Sequence, residues 1–144
     1  MTTCLENRFQ ALSVSEADLV VESLGWLHRM GRARIHAYVV MPDHVHLVIQ
    51  CQAPHNIRTV MKSWKQFSGL RINRLRGSEG RLWQESFHDR VIRDEAGLQV
   101  AVDYVRLNPI RAGLVTKPED YPHSSARHTL VVDVGGVSNA DRSG

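Results

Sequence analysis

The clearest alternation of polar and apolar residues in the chain begins at His44. Successive side chains of a β-strand point to opposite faces, so His44 and His46 share one face of a predicted strand. The opposite face is wholly apolar and consists of Val45, Leu47 and Ile49. A second alternating segment, residues 34–41, carries on one face Ile35, Ala37, Val39 and Met41. Pro42-Asp43 supplies turn residues between the two segments, which predicts a hairpin.

Three stretches repeat apolar residues at the spacing of an amphipathic helix. The first follows the capping-box pattern Ser13-Val14-Ser15-Glu16 and stops at Gly31. The second follows Asn56, and the third follows Asp94, both of which are favourable N-cap residues. We expect the third helix to end at Asn108-Pro109, because the residue before a proline is pushed out of the helical region.

Two further segments are predicted to be strands: a short one at residues 2–5 and a longer one at residues 82–93, which is rich in Trp, Phe, Val and Ile. The order of elements predicts an α+β fold, with a ferredoxin-like antiparallel sheet and helices packed on one face. The other face, which carries the two histidines, is expected to be open. We expect one domain over residues 1–128 and a disordered tail over residues 129–144.

Composition is that of an ordinary globular protein, with 42% hydrophobic and 23% charged residues in a chain of 144. No apolar run approaches the roughly 20 residues that span a bilayer, and the first residues lack the pattern of a signal peptide. Cys4 and Cys51 lack the spacing of a zinc site. We therefore expect a cytoplasmic protein that has no membrane partner.

The positive charge is concentrated in one part of the chain. Residues 58–93 contain nine basic and three acidic residues, a net charge of +6, which leaves −3 for the rest of a chain whose net charge is +3. The candidate DNA-binding residues are Arg58, Lys62, Lys65, Arg71, Arg74 and Arg76. Such a stripe is often only a solvated helix face, but its length favours a polyanion such as nucleic acid. The candidates to stack an unpaired base, if exposed, are Tyr38, Trp64 and Trp83.

The histidine pair is a candidate metal site. Two imidazoles two residues apart on a stiff strand can converge on one ion, although hydrogen-bonded strand histidines are the ordinary alternative. No third and fourth Cys or His has the spacing of structural zinc, and Asp43 would point to the other face if the strand extended that far. Two imidazoles completed by an amide or carboxylate oxygen and a substrate phosphate suit Mg²⁺ or Mn²⁺ better. Such a site implies phosphoryl transfer.

Tyr104 is the natural candidate for a nucleophile in that chemistry. It lies at the flank of the apolar stripe of the third helix, and Asn108 follows it by four residues, so both point the same way. A tyrosine packed at the edge of the core is the ordinary alternative. A phenol needs a cation to attack at neutral pH, which a nearby divalent ion would supply.

Four motifs resemble the REP-associated tyrosine transposases, which belong to the single-tyrosine HUH transposases of the insertion-sequence-200-like group. They are Met41-Pro42-Asp43-His44-Val45-His46-Leu47, Leu82-Trp83-Gln84, Tyr104-Val105-Arg106-Leu107-Asn108-Pro109-Ile110-Arg111-Ala112-Gly113-Leu114 and Tyr121-Pro122-His123-Ser124-Ser125. They occur in the family's order between about residues 34 and 126. The family opens with a fuller first strand, so we expect a shortened one here.

The resemblance implies metal-dependent cleavage and strand transfer of single-stranded or hairpin DNA through a 5′-phosphotyrosine. It implies that His44 and His46 bind the metal, that Tyr104 is the nucleophile, and that Asn108 assists the metal. The protein would be a monomer or a homodimer, associated with the nucleoid when bound to DNA. Two alternatives stay open at this point: a non-catalytic DNA-binding regulator derived from such a transposase, and a metal-dependent hydrolase of small phosphoesters.

Overall fold

A computed structural model of the chain describes residues 2–6 and 10–127. The elements are, in chain order, β1 (Thr2–Cys4), α1 (Val14–Arg29), β2 (Ala33–Val40), β3 (His44–Cys51), α2 (Ile57–Arg76), α3 (Glu95–Arg111) and a 3₁₀ turn (Pro118–Asp120). Among these residues, no helix is both long enough and apolar enough to cross a membrane. The tail predicted for residues 129–144 lies outside the described residues.

The helices begin where the sequence predicts. Ser13 and Glu16 form a complete capping box, in which the Ser13 hydroxyl accepts from the backbone N–H of Glu16 and the Glu16 carboxylate accepts from that of Ser13. Asn56 and Asp94 cap α2 and α3 in the same way, by accepting a backbone N–H at the third helical position. Each cap satisfies a backbone donor that has no partner inside the helix.

The prediction that α3 ends at Asn108-Pro109 is wrong, because the helix continues through Pro109 to Arg111. A proline removes one backbone donor from a helix. At Pro109 this loss is tolerated because only two more residues of α3 follow it. Pro109 is also buried, so packing favours the continued turn. The extra turn gives Arg111 a helical position seven residues after Tyr104, nearly two full turns along the same face.

The strand order is β1-β3-β2, and β3 is antiparallel to both neighbours. With α1 connecting the two outer strands, this is the split β-α-β arrangement of ferredoxin-like folds, and the predicted α+β class is confirmed. The three-residue β1 pairs Thr2 with His46 and Cys4 with His44 in backbone register, beside the histidine strand.

The strand predicted for residues 82–93 is wrong. Leu82 and Trp83 are buried, but the segment contains isolated bridge residues, such as Trp83 paired with Leu5, and no continuous strand. Beyond Trp83 the chain runs over the surface, where Val91 is 70% exposed. β-branched residues favour a strand only when a half-buried pleated surface exists for them, and this segment lacks one.

Helices cover both faces of the sheet. The larger core contains Val45 and Leu47 together with residues of α1 and α2. A second, smaller core joins Val39 and Val48 to Val105 of α3, so α3 lies on the face that carries the histidines. The expectation of helices on one face and an open histidine face is therefore wrong. The apolar stripe of α3 needs a surface to pack on, and the small and β-branched side chains of that face provide it.

An irregularity in β2 changes which residues share a face. The pairing register with β3 shifts between Ile35 and Ala37, which is the signature of a bulge. Ile35 consequently packs with Tyr38 in the larger core, whereas Ala37 packs with Val39 in the smaller core on the opposite face of the sheet. The strict alternation predicted for residues 34–41 is broken at His36.

The three candidate stacking aromatics are all buried, with exposures of 1% for Tyr38, 0% for Trp64 and 2% for Trp83. The indole N–H groups are satisfied inside the core, since Trp64 donates to Ser23 at 2.8 Å and Trp83 donates to Ser68 at 2.9 Å. These rings therefore stabilise the fold and do not stack a base.

Candidate active site

The two strand histidines converge on one point. Their Nε2 atoms are 3.1 Å apart, and the ring planes are nearly perpendicular, at 88°. His44 is the first residue of β3, and His46 is buried under α3 with an exposure of 9%. The alternation of the strand thus aims both imidazoles at the same side of the sheet, as the sequence predicts.

Asp43 fixes the orientation of the first histidine. Its carboxylate accepts a hydrogen bond from Nδ1 of His44 at 2.6 Å, so in the neutral form of His44 the lone pair lies on Nε2, the nitrogen that faces His46. Sequence reasoning missed this contact because it placed Asp43 on the opposite face of an extended strand. β3 in fact begins at His44, so Asp43 lies in the turn and its side chain can fold back. The signal available in the sequence was the acidic residue directly before His44, which can hydrogen-bond to the neighbouring imidazole.

His46 is held in the neutral form that binds metals. Burial lowers the pKa of His46 to about 4, and the charges of His44 and Arg111 contribute in the same direction. At neutral pH this imidazole is therefore uncharged, with a lone pair on one of its nitrogens. A neutral imidazole is the ligand form of histidine.

The histidine geometry fits a divalent ion. Two ligands in neighbouring positions on an ion with bonds of about 2.1 Å lie about 3.0 Å apart in octahedral geometry and about 3.4 Å apart in tetrahedral geometry. The observed 3.1 Å between the two Nε2 atoms falls in this range. Within residues 2–6 and 10–127, no three His, Cys, Asp or Glu side chains form a group that could hold a metal. Further ligands would have to be amide, water or phosphate oxygens.

Tyr104 lies directly beside this pair. Its ring meets the His46 ring at right angles, with the ring centres 5.6 Å apart. Half of its surface is exposed, so a macromolecular substrate can reach the phenol. Asn108 is half-buried one helical turn further along α3. The packing of α3 on the histidine face therefore brings together residues that are 58 or more positions apart in the sequence.

Arg111 completes the cluster, and sequence reasoning did not single it out. Its guanidinium lies over the Tyr104 ring, 4.5 Å from the ring centre, and its Nη1 donates to the Tyr104 carbonyl at 3.2 Å. The available signal was the spacing of seven residues, which places two side chains on one helix face. That signal was lost when the helix was predicted to stop before Arg111.

A groove lies between α2 and residues 78–87 and has a volume of about 890 Å³. Four of the candidate DNA-binding residues line this α2 groove: Arg58, Lys62, Lys65 and Arg74. Lys65 also has a structural role, because its ammonium donates to the carbonyls of Gln84, Glu85 and Ser86 at 2.6–3.1 Å. Those bonds hold the far wall of the α2 groove in place.

A family model described as "Transposase IS200 like" matches residues 1–108 of the chain. The chain belongs to this family. The resemblance drawn from the motifs is thereby confirmed, and the converged histidines and Tyr104 are the candidate active site of an IS200-like transposase.

Relatives of known name agree with this assignment. A REP-associated tyrosine transposase of Escherichia coli is 25% identical over 86% of this chain and 73% of its own length. A Haemophilus influenzae protein with the name "Putative REP-associated tyrosine transposase" is 29% identical. The match covers 68% of this chain and 61% of that relative. A solved REP-associated tyrosine transposase bound to a REP hairpin superimposes with a TM-score of 0.74 at 22% identity, covering 94% of this chain and 83% of its own. The last comparison shows that the fold is shared.

Two of the candidate DNA-binding residues of this IS200-like transposase point toward α1. Arg76 forms an ion pair with Glu16, at 2.8 and 3.1 Å, and also donates to the carbonyl of Gln10. Arg71 forms an ion pair with Glu22 at 3.0 Å. Arg76 thus joins α2 to α1, and neither Arg71 nor Arg76 lines the α2 groove.

The Glu16→Gln substitution is expected to destabilise the protein by about 3 kcal/mol at pH 7, because it leaves the charge of Arg76 buried without its partner. Glutamine keeps the capping box, so the loss reports on the ion pair. Hydrogen bonding to Arg76 lowers the pKa of Glu16 despite its burial. The difference between wild type and variant should therefore shrink as the pH falls through about 4.5, where half of the glutamate in the unfolded state is protonated, toward the lower pKa of the folded state. Chemical denaturation at several pH values measures this.

The matched control is Glu22→Gln, which removes the acid of the exposed ion pair between the same two helices. Exposed pairs contribute about 0.2–1 kcal/mol. Equal losses of stability in the Glu16 and Glu22 variants would contradict the structural role assigned to Arg76.

Proposed function

We propose that this chain cleaves and rejoins single-stranded DNA at hairpin-forming repeats, through a covalent 5′-phosphotyrosine on Tyr104. The observation that carries the proposal is the contact of the Tyr104 ring with His46, whose Nε2 lies 3.1 Å from that of His44. A nucleophile, two converging metal ligands and an exposed approach are what a phosphoryl-transfer centre needs.

His44 and His46 would hold the metal, Mg²⁺ or Mn²⁺, and Asn108 is proposed as an oxygen ligand from α3. When bound, such an ion polarises the scissile phosphate and neutralises charge that develops on its oxygens. Asp43 keeps Nε2 of His44 available, and burial keeps His46 neutral. The protein's contribution is a ligand pair that is already arranged before DNA arrives.

The phenol oxygen of Tyr104 attacks the scissile phosphorus, and the bond from phosphorus to the 3′-oxygen breaks. The phenol loses its proton, and the departing 3′-oxygen gains one, so the products are a 5′-phosphotyrosine and a free 3′-hydroxyl. Attack by a 3′-hydroxyl on the phosphotyrosine then restores a phosphodiester and releases Tyr104. The energy of the phosphodiester is conserved in both steps, so no nucleotide cofactor is required.

The α2 groove is proposed as the surface that follows the DNA backbone. Arg58, Lys62 and Arg74 are exposed along one side of α2, and they provide charge for sequence-independent contacts with phosphates. A hairpin substrate is supported by the solved relative, which is bound to a REP hairpin. Sequence recognition would require additional contacts with bases.

Replacing Arg58, Lys62 and Arg74 together with glutamine is expected to weaken DNA binding and to flatten its salt dependence. Three lost phosphate contacts should reduce the slope of log K against log salt by about 2–3. Fluorescence anisotropy with a hairpin oligonucleotide at several salt concentrations measures both quantities. The control changes three exposed cations outside the α2 groove, Arg29, Arg34 and Lys117, and removes the same net charge. An equal change of slope in both triple variants would exclude the α2 groove as the interface.

The proposed function is tested by incubating the protein with a labelled single-stranded hairpin oligonucleotide and Mg²⁺ or Mn²⁺, followed by denaturing electrophoresis. A protein-DNA adduct that survives denaturation is the expected result. Binding without any adduct would favour the non-catalytic regulator instead. Release of a cleaved product without an adduct would favour a hydrolase.

A further inference from the structure

Arg111 occupies a position that an ordinary surface arginine does not. It is exposed, yet its guanidinium is stacked on Tyr104 and anchored to the carbonyl of the same residue at 3.2 Å. The Tyr104 ring in turn meets the His46 ring, with the ring centres 5.6 Å apart, so one side chain separates Arg111 from the histidine pair. Arg111 therefore adjoins the candidate nucleophile on α3, and that nucleophile contacts a candidate metal ligand.

The guanidinium retains donors for a ligand. Arginine carries five N–H groups in a planar fork, and one hydrogen bond from this fork is found among the described residues, the bond to Tyr104. Such a fork binds two oxygens of a phosphate at once. The stack and the main-chain bond fix the fork beside the phenol, so little side-chain entropy remains to be lost when a phosphate binds.

We propose that Arg111 binds a non-bridging oxygen of the scissile phosphate and holds the Tyr104 ring in the attacking position. This inference rests on the proposed function. Arg111 stays protonated throughout and moves no proton. Its positive charge stabilises the negative charge that accumulates on the phosphoryl oxygens while the phenol oxygen approaches and the 3′-oxygen leaves.

The competing explanation is structural. A basic residue in the last turn of a helix interacts favourably with the helix dipole, and Arg111 could serve only to stabilise the end of α3. The two explanations differ in one property that can be measured. A phosphate ligand is sensitive to the charge of one particular phosphate, whereas a helix-end residue is not.

The first experiment measures the rate of adduct formation at saturating DNA for Arg111→Gln and Arg111→Lys. The glutamine variant should lose about 10²–10³-fold, which is the usual cost of removing one group that stabilises transition-state charge. Lysine should restore only part of the rate, because it keeps the charge but not the stacked fork. Arg106→Gln is the matched control, since Arg106 is an exposed arginine on the same helix that does not stack on Tyr104.

The second experiment needs no chemistry and separates this inference from the proposed function. In a Tyr104→Phe background, the dissociation constant of a single-stranded hairpin oligonucleotide is measured with each phosphate in turn replaced by a neutral methylphosphonate. Arg111→Gln should weaken binding about fivefold or more for the normal oligonucleotide, and that effect should vanish when one particular phosphate is neutral. Thermal melting confirms that each variant is folded.

The inference is overturned if Arg111→Gln weakens binding equally whichever phosphate is neutral, or does not weaken it at all. It is also overturned if the Arg111→Gln adduct forms at the wild-type rate. A different result would separate the two proposals: the wild type forms no adduct, yet the effect of Arg111→Gln on binding vanishes when one particular phosphate is neutral. That result would contradict the proposed function and would still identify Arg111 as a phosphate ligand.

Discussion

Replacing Tyr104 with phenylalanine is expected to abolish the covalent adduct while DNA affinity stays within about twofold of wild type. The substitution removes the attacking oxygen and keeps the ring, so the contacts with His46 and Arg111 persist. Loss of a nucleophile typically costs more than about 10⁴-fold in rate. Denaturing electrophoresis measures the adduct, and fluorescence anisotropy measures the affinity.

Tyr121→Phe is the matched control for this experiment. The Tyr121 hydroxyl donates to the carbonyl of Val40 at 2.6 Å, at the edge of the sheet. The substitution therefore removes a hydroxyl whose hydrogen bond is structural. This variant should form the adduct. A Tyr104→Phe protein that still forms the adduct at a comparable rate would end the assignment of Tyr104 as the nucleophile.

Replacing His44 and His46 together with alanine should eliminate Mn²⁺ binding at this site and reduce the adduct rate by at least about 10³-fold, because both converging nitrogens are removed. Asp43→Asn should have a smaller effect, about 10–100-fold, since it weakens the hold on His44 without removing a ligand. Calorimetric titration with Mn²⁺ measures the binding. His88→Gln, an exposed histidine outside the site, should bind Mn²⁺ as wild type does.

Metal dependence has an independent control in the wild-type protein. A chelator should stop adduct formation, and added Mg²⁺ or Mn²⁺ should restore it. Adduct formation at an undiminished rate in the chelator, or in the double histidine variant, would contradict the role proposed for the pair.

Local patterns of the sequence predicted most of the elements. The capping residues Ser13, Asn56 and Asp94 mark helix starts because a side-chain acceptor next to unpaired N–H groups is a local interaction. The alternation from His44 onward placed both imidazoles on one face for a similarly local reason. Such signals survive folding because they depend on neighbours within a few residues.

The arrangement of α3 depended on tertiary packing. Its stripe, centred on Val105, showed that one side of the helix is buried, but periodicity does not say which surface buries it. In the fold, the partner surface is the histidine face of the sheet. That choice brings Tyr104 to His46, and the motif resemblance, rather than the periodicity, led to this pairing.

The basic stripe illustrates the same limit at the level of single residues. Arg74 and Arg76 are two positions apart on one helix, yet Arg74 lines the α2 groove and Arg76 is paired with Glu16. The partner lies 60 residues earlier, so no local rule assigns it. The failed strand at residues 82–93 has a similar cause, because strand formation needs a paired neighbour that composition does not reveal.

Identification of the residue that carries the DNA tests the proposed role of Tyr104 most directly. The wild-type adduct is digested with nuclease and protease, and mass spectrometry locates the remaining nucleotide. A phosphotyrosine mechanism at Tyr104 predicts a phosphate ester on Tyr104 linked to the 5′ side of the cleaved strand, together with a free 3′-hydroxyl on the other fragment. A nucleotide on any other residue, or a 3′-phosphate linkage, would contradict it.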